Sequence, residues 1–255
     1  MDLRIVTVAE RPTMSSKFAD PETEPWAAFM NEDPIAMLYY GDVRVAHPEF
    51  GLLAYDAAAP DQAVARAFCV PFAWDGDPAR GELPVDGWDG VILQSAKDRQ
   101  VGREPNMVSA LEITIPTNLQ GTGLSGTMLT AMRDNVARLG FEHLVAPVRP
   151  NHKHLVPDMP IDEYAALTRE DGLPQDPWLR VHVRAGGRIV GTSKRAMVIP
   201  GSLEQWRSWT GLPFDKSGPV VVPGALVPVE CNVEHDYAVY VEPGVWVHHH
   251  LTSAK

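Results

Sequence analysis

The chain has only two cysteines, Cys69 and Cys231, and no CxxC pair. That excludes a disulfide framework and a cysteine-based zinc module. No apolar run is long enough to span a bilayer; the greasiest stretch, VVVPGALVPV at 220–229, holds two prolines. Basic residues are outnumbered, 22 against 33, giving a net charge of −11. A field of that sign repels phosphate backbones and anionic lipid, so neither nucleic acid nor a membrane is expected as a partner. The opening MDLRIVTVAERP carries acids early and lacks the apolar core of a signal peptide. No internal repeat is visible. What remains is a chain of 255 residues, 45% hydrophobic and 22% charged. It is long enough to bury a core unaided, and it reads as a reduced, cytoplasmic protein.

Proline is abundant at 23 residues but spread along the chain. It therefore punctuates a folded chain rather than forming one linker. Residues 2–8 alternate as a strand. Residues 20–48 mix helix formers with Pro21, Pro25 and Pro34 and predict short helices. FGLLAYD (50–56) and AVARAFCVPF (63–72) read as an antiparallel hairpin. The Gly/Pro/Asp-rich stretch 73–106, with a short helix around Asp89–Asp98, has the length of a lid or substrate-facing loop. Further on, WLRVHVR and RIVGTS read as a second hairpin, with Leu179, Val181 and Val183 on one face. SLEQWRSWTG (202–211) reads as a helix capped by Ser202 and Gly211. ALVPVECNV and YAVYVEPGVWVHHH make the tail strand-rich.

The middle of the chain is the most regular. LEITIP (111–116) sets Leu111, Ile113 and Ile115 against Glu112 and Thr114, a half-buried strand. A glycine turn leads into residues 123–140, where Leu124, Met128, Leu129, Met132, Val136 and Leu139 recur at helical spacing. FEHLVAPV (141–148) follows as a buried, parallel strand. The turn Gln120-Gly121-Thr122-Gly123-Leu124-Ser125-Gly126 thus sits between a strand and a helix start. Free amides and the helix dipole make that place an anion site. Gly121, Gly123 and Gly126 match GxGxxG, but no acid ends the following strand. A Walker A loop would need GK[ST]. A GxSxG elbow would need glycine where Thr127 stands.

The turn resembles the acyl-CoA loop of the GNAT superfamily of N-acetyltransferases, Gln/Arg-x-x-Gly-x-Gly/Ala, with Gln120, Gly123 and Ser125 in the patterned places. The order hairpin, strand, loop, helix, strand, Tyr-bearing helix is similar over about residues 45–195. The resemblance implies an α/β (α+β) fold with a mixed, mostly antiparallel central sheet flanked by helices. It implies a GNAT-like domain over 1–200, with a strand-rich extension, 201–255, packed on it. It implies acetyl-CoA as acyl donor: Leu111, Ile113 and Thr114 along the pantetheine arm, amides of Thr122 to Gly126 on the pyrophosphate, and Asn151 at the pantetheine side or merely turning the chain. Glu112 is implied as the base or else a solvated carboxylate, and Tyr164 as the general acid or else a core side chain. The implied reaction is transfer of an acetyl or other short acyl group to the amine of a small molecule. A CoA-binding module with a sensory role is the alternative. Pairing with a second copy through the tail stays open.

The residues after the second strand, His152, Lys153 and His154, read as a solvated loop, and Trp178 and Trp206 as core. His248, His249 and His250 read as surface residues or a leftover tag. Three consecutive strand residues alternate faces and cannot all reach one ion, so no metal is expected. Both cysteines are expected as free thiols. Thiol titration in denaturant, without reductant, should find two per chain; finding none would overturn the reading of a reduced protein.

Overall fold

The computed structural model describes residues 1–251. The first half of the sheet is an antiparallel meander: β1 (Leu3–Thr7), β2 (Gly51–Asp56), β3 (Ala63–Phe72) and β4 (Met107–Thr114). β5 (His143–Val148) joins β4 in parallel through two residue pairs only, Val108 with Leu144 and Ser109 with Val145. The second half is built around the tail. β6 (Arg188–Gly201), β7 (Gly218–Val220) and β8 (Val229–Asn232) precede β9 (Tyr237–His250), which runs antiparallel to β5 from Val245 to His250. β6 takes the other edge of β9, and β8, with β7 beyond it, pairs with the start of β9. The tail therefore enters the sheet as its longest strand, level with β6.

Helices cover both faces. α1 (Gly41–Ala46), continuing a π-helical turn at Ala36–Tyr40, and α2 (Gly87–Val101) pack on the face that holds Val70, Phe72, Met107 and Val145. α3 (Leu124–Arg138) covers the opposite face through Met128, Met132 and Val136, against Ala67, Cys69, Val108 and Leu144. Alternation along β3, β4 and β5 assigns these side chains, since successive residues of a strand point to opposite faces. α4 (Ile161–Ala165) and α5 (Pro177–Arg184) close the α3 face against Val148, Val245 and Val247. α6 (Leu203–Thr210) starts in a capping box, Ser202 with Gln205, and buries Trp206 beside Phe29 and Tyr240.

Several expectations change. The strand of the middle unit begins at Met107, and the helix near Asp89–Asp98 spans Gly87–Val101. Residues 178–184 form α5, not a hairpin arm. Asp176 Oδ1 accepts the Trp178 and Leu179 amides at 2.9 and 3.0 Å, and Pro177 sits at the first helical position. The helix turns Leu179 and His182 inward; three apolar residues at alternate positions were too few to separate the two periods. Lys153 is not in a solvated loop. It is fully buried, and its ammonium donates to the carbonyls of Val156, Pro157 and Leu226 at 2.9, 3.1 and 2.8 Å. The histidines of the tail are not a surface run: His248 and His249 are buried.

One buried acid pair ties α2 to its surroundings. Asp33 Oδ1 accepts the Ala36 amide at 2.6 Å, and Asp89 Oδ2 accepts the Val198 amide of β6 at 3.0 Å. Their other oxygens, Asp33 Oδ2 and Asp89 Oδ1, have no further partner, and the carboxyls stand close enough to share a proton. Burial, and then the charge of Asp33, push Asp89 up to about 8; Asp33 is also raised, first by burial. Folding raises the Asp89 pKa above its value in the unfolded chain. The pair's contribution to stability is therefore complete below about pH 4 and is lost as pH rises through about 8. The melting temperature should fall between pH 6 and 9, and Asp89→Asn should flatten that fall. Parallel pH profiles for the two proteins would refute the shared proton.

Candidate active site

The site begins where β4 and β5 part. Cys69 faces Ala110 and Phe68 faces Glu112, so Leu111 is an extra residue, a bulge that bends β4. The Leu111 carbonyl accepts the Trp88 indole N–H at 2.8 Å. Past Ser109 no strand pairs with the β5-facing edge of β4. The gap opens into a cavity of about 990 Å³. Its floor comes from Ala110 to Ile113 on one side and Ala146 to Val148 on the other.

The glycine turn borders this gap. Gly121 and Gly123 have φ of 77° and 87°, in the left-handed region. The Gln120 side-chain amide donates to Ile115 O at 3.3 Å, and Thr122 Oγ1 donates to Leu119 O at 2.7 Å. These bonds hold the turn without capping α3, whose N-terminus has no side-chain cap. The first-turn amides of Leu124, Ser125 and Gly126 have no intrahelical acceptor. A Cβ added at Gly121, Gly123 or Gly126 would meet nothing within 4 Å. An open, uncapped helix start fits a pyrophosphate.

The first wall carries Glu112. Its Oε1 accepts from Arg66 Nε at 2.9 Å, and Thr114 Oγ1 donates to Oε2 at 3.3 Å. Arg66 is also clasped by Glu24, at 2.5 and 3.0 Å. Burial works against the guanidinium, but Glu24 and Glu112 overcome it and raise its pKa. The Tyr40 hydroxyl is buried near Glu112 and forms no well-aligned hydrogen bond. Burial, then the Glu112 charge, raise its pKa well above the usual value, so it keeps its proton. Its ring lies 5.5 Å from that of Trp88.

The second wall follows β5. Arg149 Nε donates to Glu242 Oε2 at 2.9 Å, and the Gly224 carbonyl accepts from Arg149 Nη2. Tyr240 donates to the same Glu242 oxygen at 2.6 Å and accepts the Leu226 amide at 2.8 Å. Asp176 gathers the segments beside it. Besides capping α5, its Oδ2 accepts the His152 amide and the Tyr164 hydroxyl, both at 2.9 Å.

Of the residues singled out in the sequence, Leu111, Glu112, Ile113, Gln120, Gly121, Leu124, Ser125 and Asn151 line the cavity. Thr122, Gly123 and Gly126 complete the turn. Thr114 is buried beneath the cavity lining, its hydroxyl toward Glu112. Tyr164 is not in the lining: it is buried in α4, its proton held by Asp176. Burial and Asp176 raise its pKa. The sequence reading missed Trp26, Tyr40, Trp88, Arg149 and Glu242, all of which line the cavity. The length of the 73–106 connection was the one signal for Trp88. Trp178, expected in the core, is half-buried and lines the cavity as well.

A mixed sheet parted between two parallel strands, over an uncapped glycine turn, is the frame of a transferase that draws its acyl group from acyl-CoA. No family model matches the chain. It is 30% identical to the arginine N-acetyltransferase avaD of Aspergillus versicolor, over 95% of this chain and 92% of that protein. The chain belongs to the GNAT superfamily of N-acetyltransferases, which take acetyl-CoA as acyl donor. Two solved structures share the fold. One is the loading GNATL domain of CurA from Lyngbya majuscula, with TM-score 0.51, 16% identity and 97% of each chain covered. The other is the GphF GNAT-like decarboxylase in complex with isobutyryl-CoA, with TM-score 0.54, 13% identity, and coverage of 98% of this chain and 99% of that one.

Gly126→Asp tests the anion site without backbone strain, because Gly126 lies inside the helix and space is open around it. The added carboxylate should lower CoA affinity at least tenfold by calorimetry, about 1.4 kcal/mol. It should leave the melting temperature intact, since an acid in a first helical turn is favourable. Unchanged affinity in the folded variant would remove the pyrophosphate from this turn.

Proposed function

We propose that the chain acetylates a nitrogen of a small cationic molecule of the arginine type, with Glu112 as the base and Tyr40 as the acid. The observation that carries this reading is one continuous cavity, lined by the glycine turn and by Glu112, Tyr40, Trp26 and Trp88. Aromatic faces attract a desolvated cation. Glu112 supplies the negative charge, since Arg66 engages only its Oε1 among strong donors. The relative that acts on arginine supports an acceptor of this charge.

Acetyl-CoA supplies the activated acyl group as a thioester. For transfer, the C–S bond breaks and a C–N bond forms. Glu112 accepts the proton that leaves the nitrogen, through its less engaged Oε2. Tyr40, whose buried hydroxyl stands near Glu112, supplies the proton that the sulfur takes up. Leu111 to Ile113 and Asn151 hold the pantetheine arm against the parted strands, and the amides of Thr122 to Gly126 hold the pyrophosphate. The Leu111 bulge directs a kinked stretch of β4 at the reacting carbonyl.

General acid or base assistance is worth roughly 10²–10⁴-fold in rate. Glu112→Gln and Tyr40→Phe should each lower kcat by that order, with CoA affinity nearly unchanged. The acidic limb of the kcat–pH profile should shift or vanish in Glu112→Gln. Tyr164→Phe should keep kcat within a few-fold and lower the melting temperature, because its hydroxyl serves Asp176. Wild-type kcat at every pH in both Glu112→Gln and Tyr40→Phe would remove the two roles. A large kcat loss in Tyr164→Phe, with stability intact, would return the acid role to Tyr164.

A further inference from the structure

Three imidazoles meet at the end of the sheet away from the gap. His143 opens β5 and pairs directly with His250, the last residue of β9. His248 stands two residues before His250, so it shares a face with it. That face is the one that carries Val145 and Trp246, on the α2 side. His143 Nδ1 lies 3.0 Å from His248 Nε2, and one ligand nitrogen from each of the three rings falls within 4.8 Å of the other two. His249 points to the opposite face, where its Nε2 meets His182 Nδ1 at 3.0 Å. The third ligand for this face therefore comes from across the strand pair rather than from the run of three.

We propose that His143, His248 and His250 form a binding site for one divalent transition-metal ion, of the zinc, cobalt or nickel type, that staples β5 to β9. Neutral imidazole suits these metals, and a three-histidine set leaves a fourth position for water. Bond lengths of about 2.0–2.1 Å to a tetrahedral ion put ligand nitrogens roughly 3.3 Å apart. His143 Nδ1 and His248 Nε2, 3.0 Å apart, already stand near that spacing.

The backbone already holds the two strand ends together. Leu251, directly after His250, is buried, and its amide donates to the Glu142 carbonyl at 2.8 Å, next to His143. The site is also accessible: His248 is buried and His143 half-buried, while His250 is exposed, so an ion enters from solvent through the His250 side. Arg188 pairs with His248 across β6 and β9 and donates to the Ala79 carbonyl, and Asp77 lies close enough to His248 to oppose it. None of the three histidines lines the cavity, so the site is separate from the transferase chamber.

The test uses the full chain, free of any affinity tag and stripped with chelator. Titration with Co²⁺ should give one equivalent per chain and the visible bands of a four-coordinate ion. Zn²⁺ should displace it and raise the melting temperature, since a ligand that binds only the folded chain stabilises it. His250→Ala alters an exposed side chain and should fold normally; it should weaken Co²⁺ at least tenfold and abolish the thermal shift. His143→Gln should do the same, while His235→Ala, at an exposed turn, should behave as wild type. Absence of stoichiometric binding would overturn the site. So would binding that survives both His250→Ala and His143→Gln, or binding that His235→Ala removes equally.

Discussion

The structure turns on two neighbouring strands being pulled apart. β4 is bonded along its length to β3, and β5 along its length to β9. Each strand's direction is thereby set by its outer partner, and the sheet's two halves agree on a common direction for only two residue pairs. The Leu111 bulge then falls just past the point where the pairing ends. The inner edges past this point carry backbone donors and acceptors with no strand to receive them. Peptide groups left without a strand partner are open to pairing with an added extended segment. Binding and fold are thus two sides of one mismatch.

The second wall of the gap is held by polar hubs rather than by regular structure. Asp176 accepts four donors from three segments. Lys153 satisfies three carbonyls from two loops. Arg149, Glu242 and Tyr240 join β5, β9 and the loop at Gly224 to Leu226. A buried charge with all its partners in place is tolerable, whereas removal of one partner strands the others. Such hubs suit a wall that must keep its shape while facing a large water-accessible cavity, where apolar packing is available on one side only.

Local signals made the middle of the chain legible. Strand, glycine turn, amphipathic helix and buried strand all stand within residues 107–148, and each is written in its own periodicity. The capping box at Ser202 was equally local. What escaped were features made by partners far off in sequence. The arm 178–184 depended on Asp176, whose capping role its neighbours in space enforce. Lys153 looked like a surface lysine because the carbonyls that receive it include Leu226. Glu112 was legible as a strand carboxylate facing the site, but its clasp by Arg66 and Glu24 was not. Tyr40 sat in a stretch with no period at all, where a π-helical turn presents it to the chamber. The histidine run read as surface, but β9 is flanked by β5 and β6 at that point, and these distant partners bury His248 and His249.

The position of β9 carries a consequence for synthesis. A ribosome releases β5 well before β9, and β9 pairs with β5 along residues 245–250. Until those residues emerge, β5 has an unpaired edge and Leu144 and Val145 lack part of their cover. Such an edge is a template for wrong pairing. The chain can assemble its meander and α3 early, but β5 gains its outer partner only when residues 245–250 have left the exit tunnel. A cleft with both walls in place therefore waits on β9, however early β4 and α3 have formed.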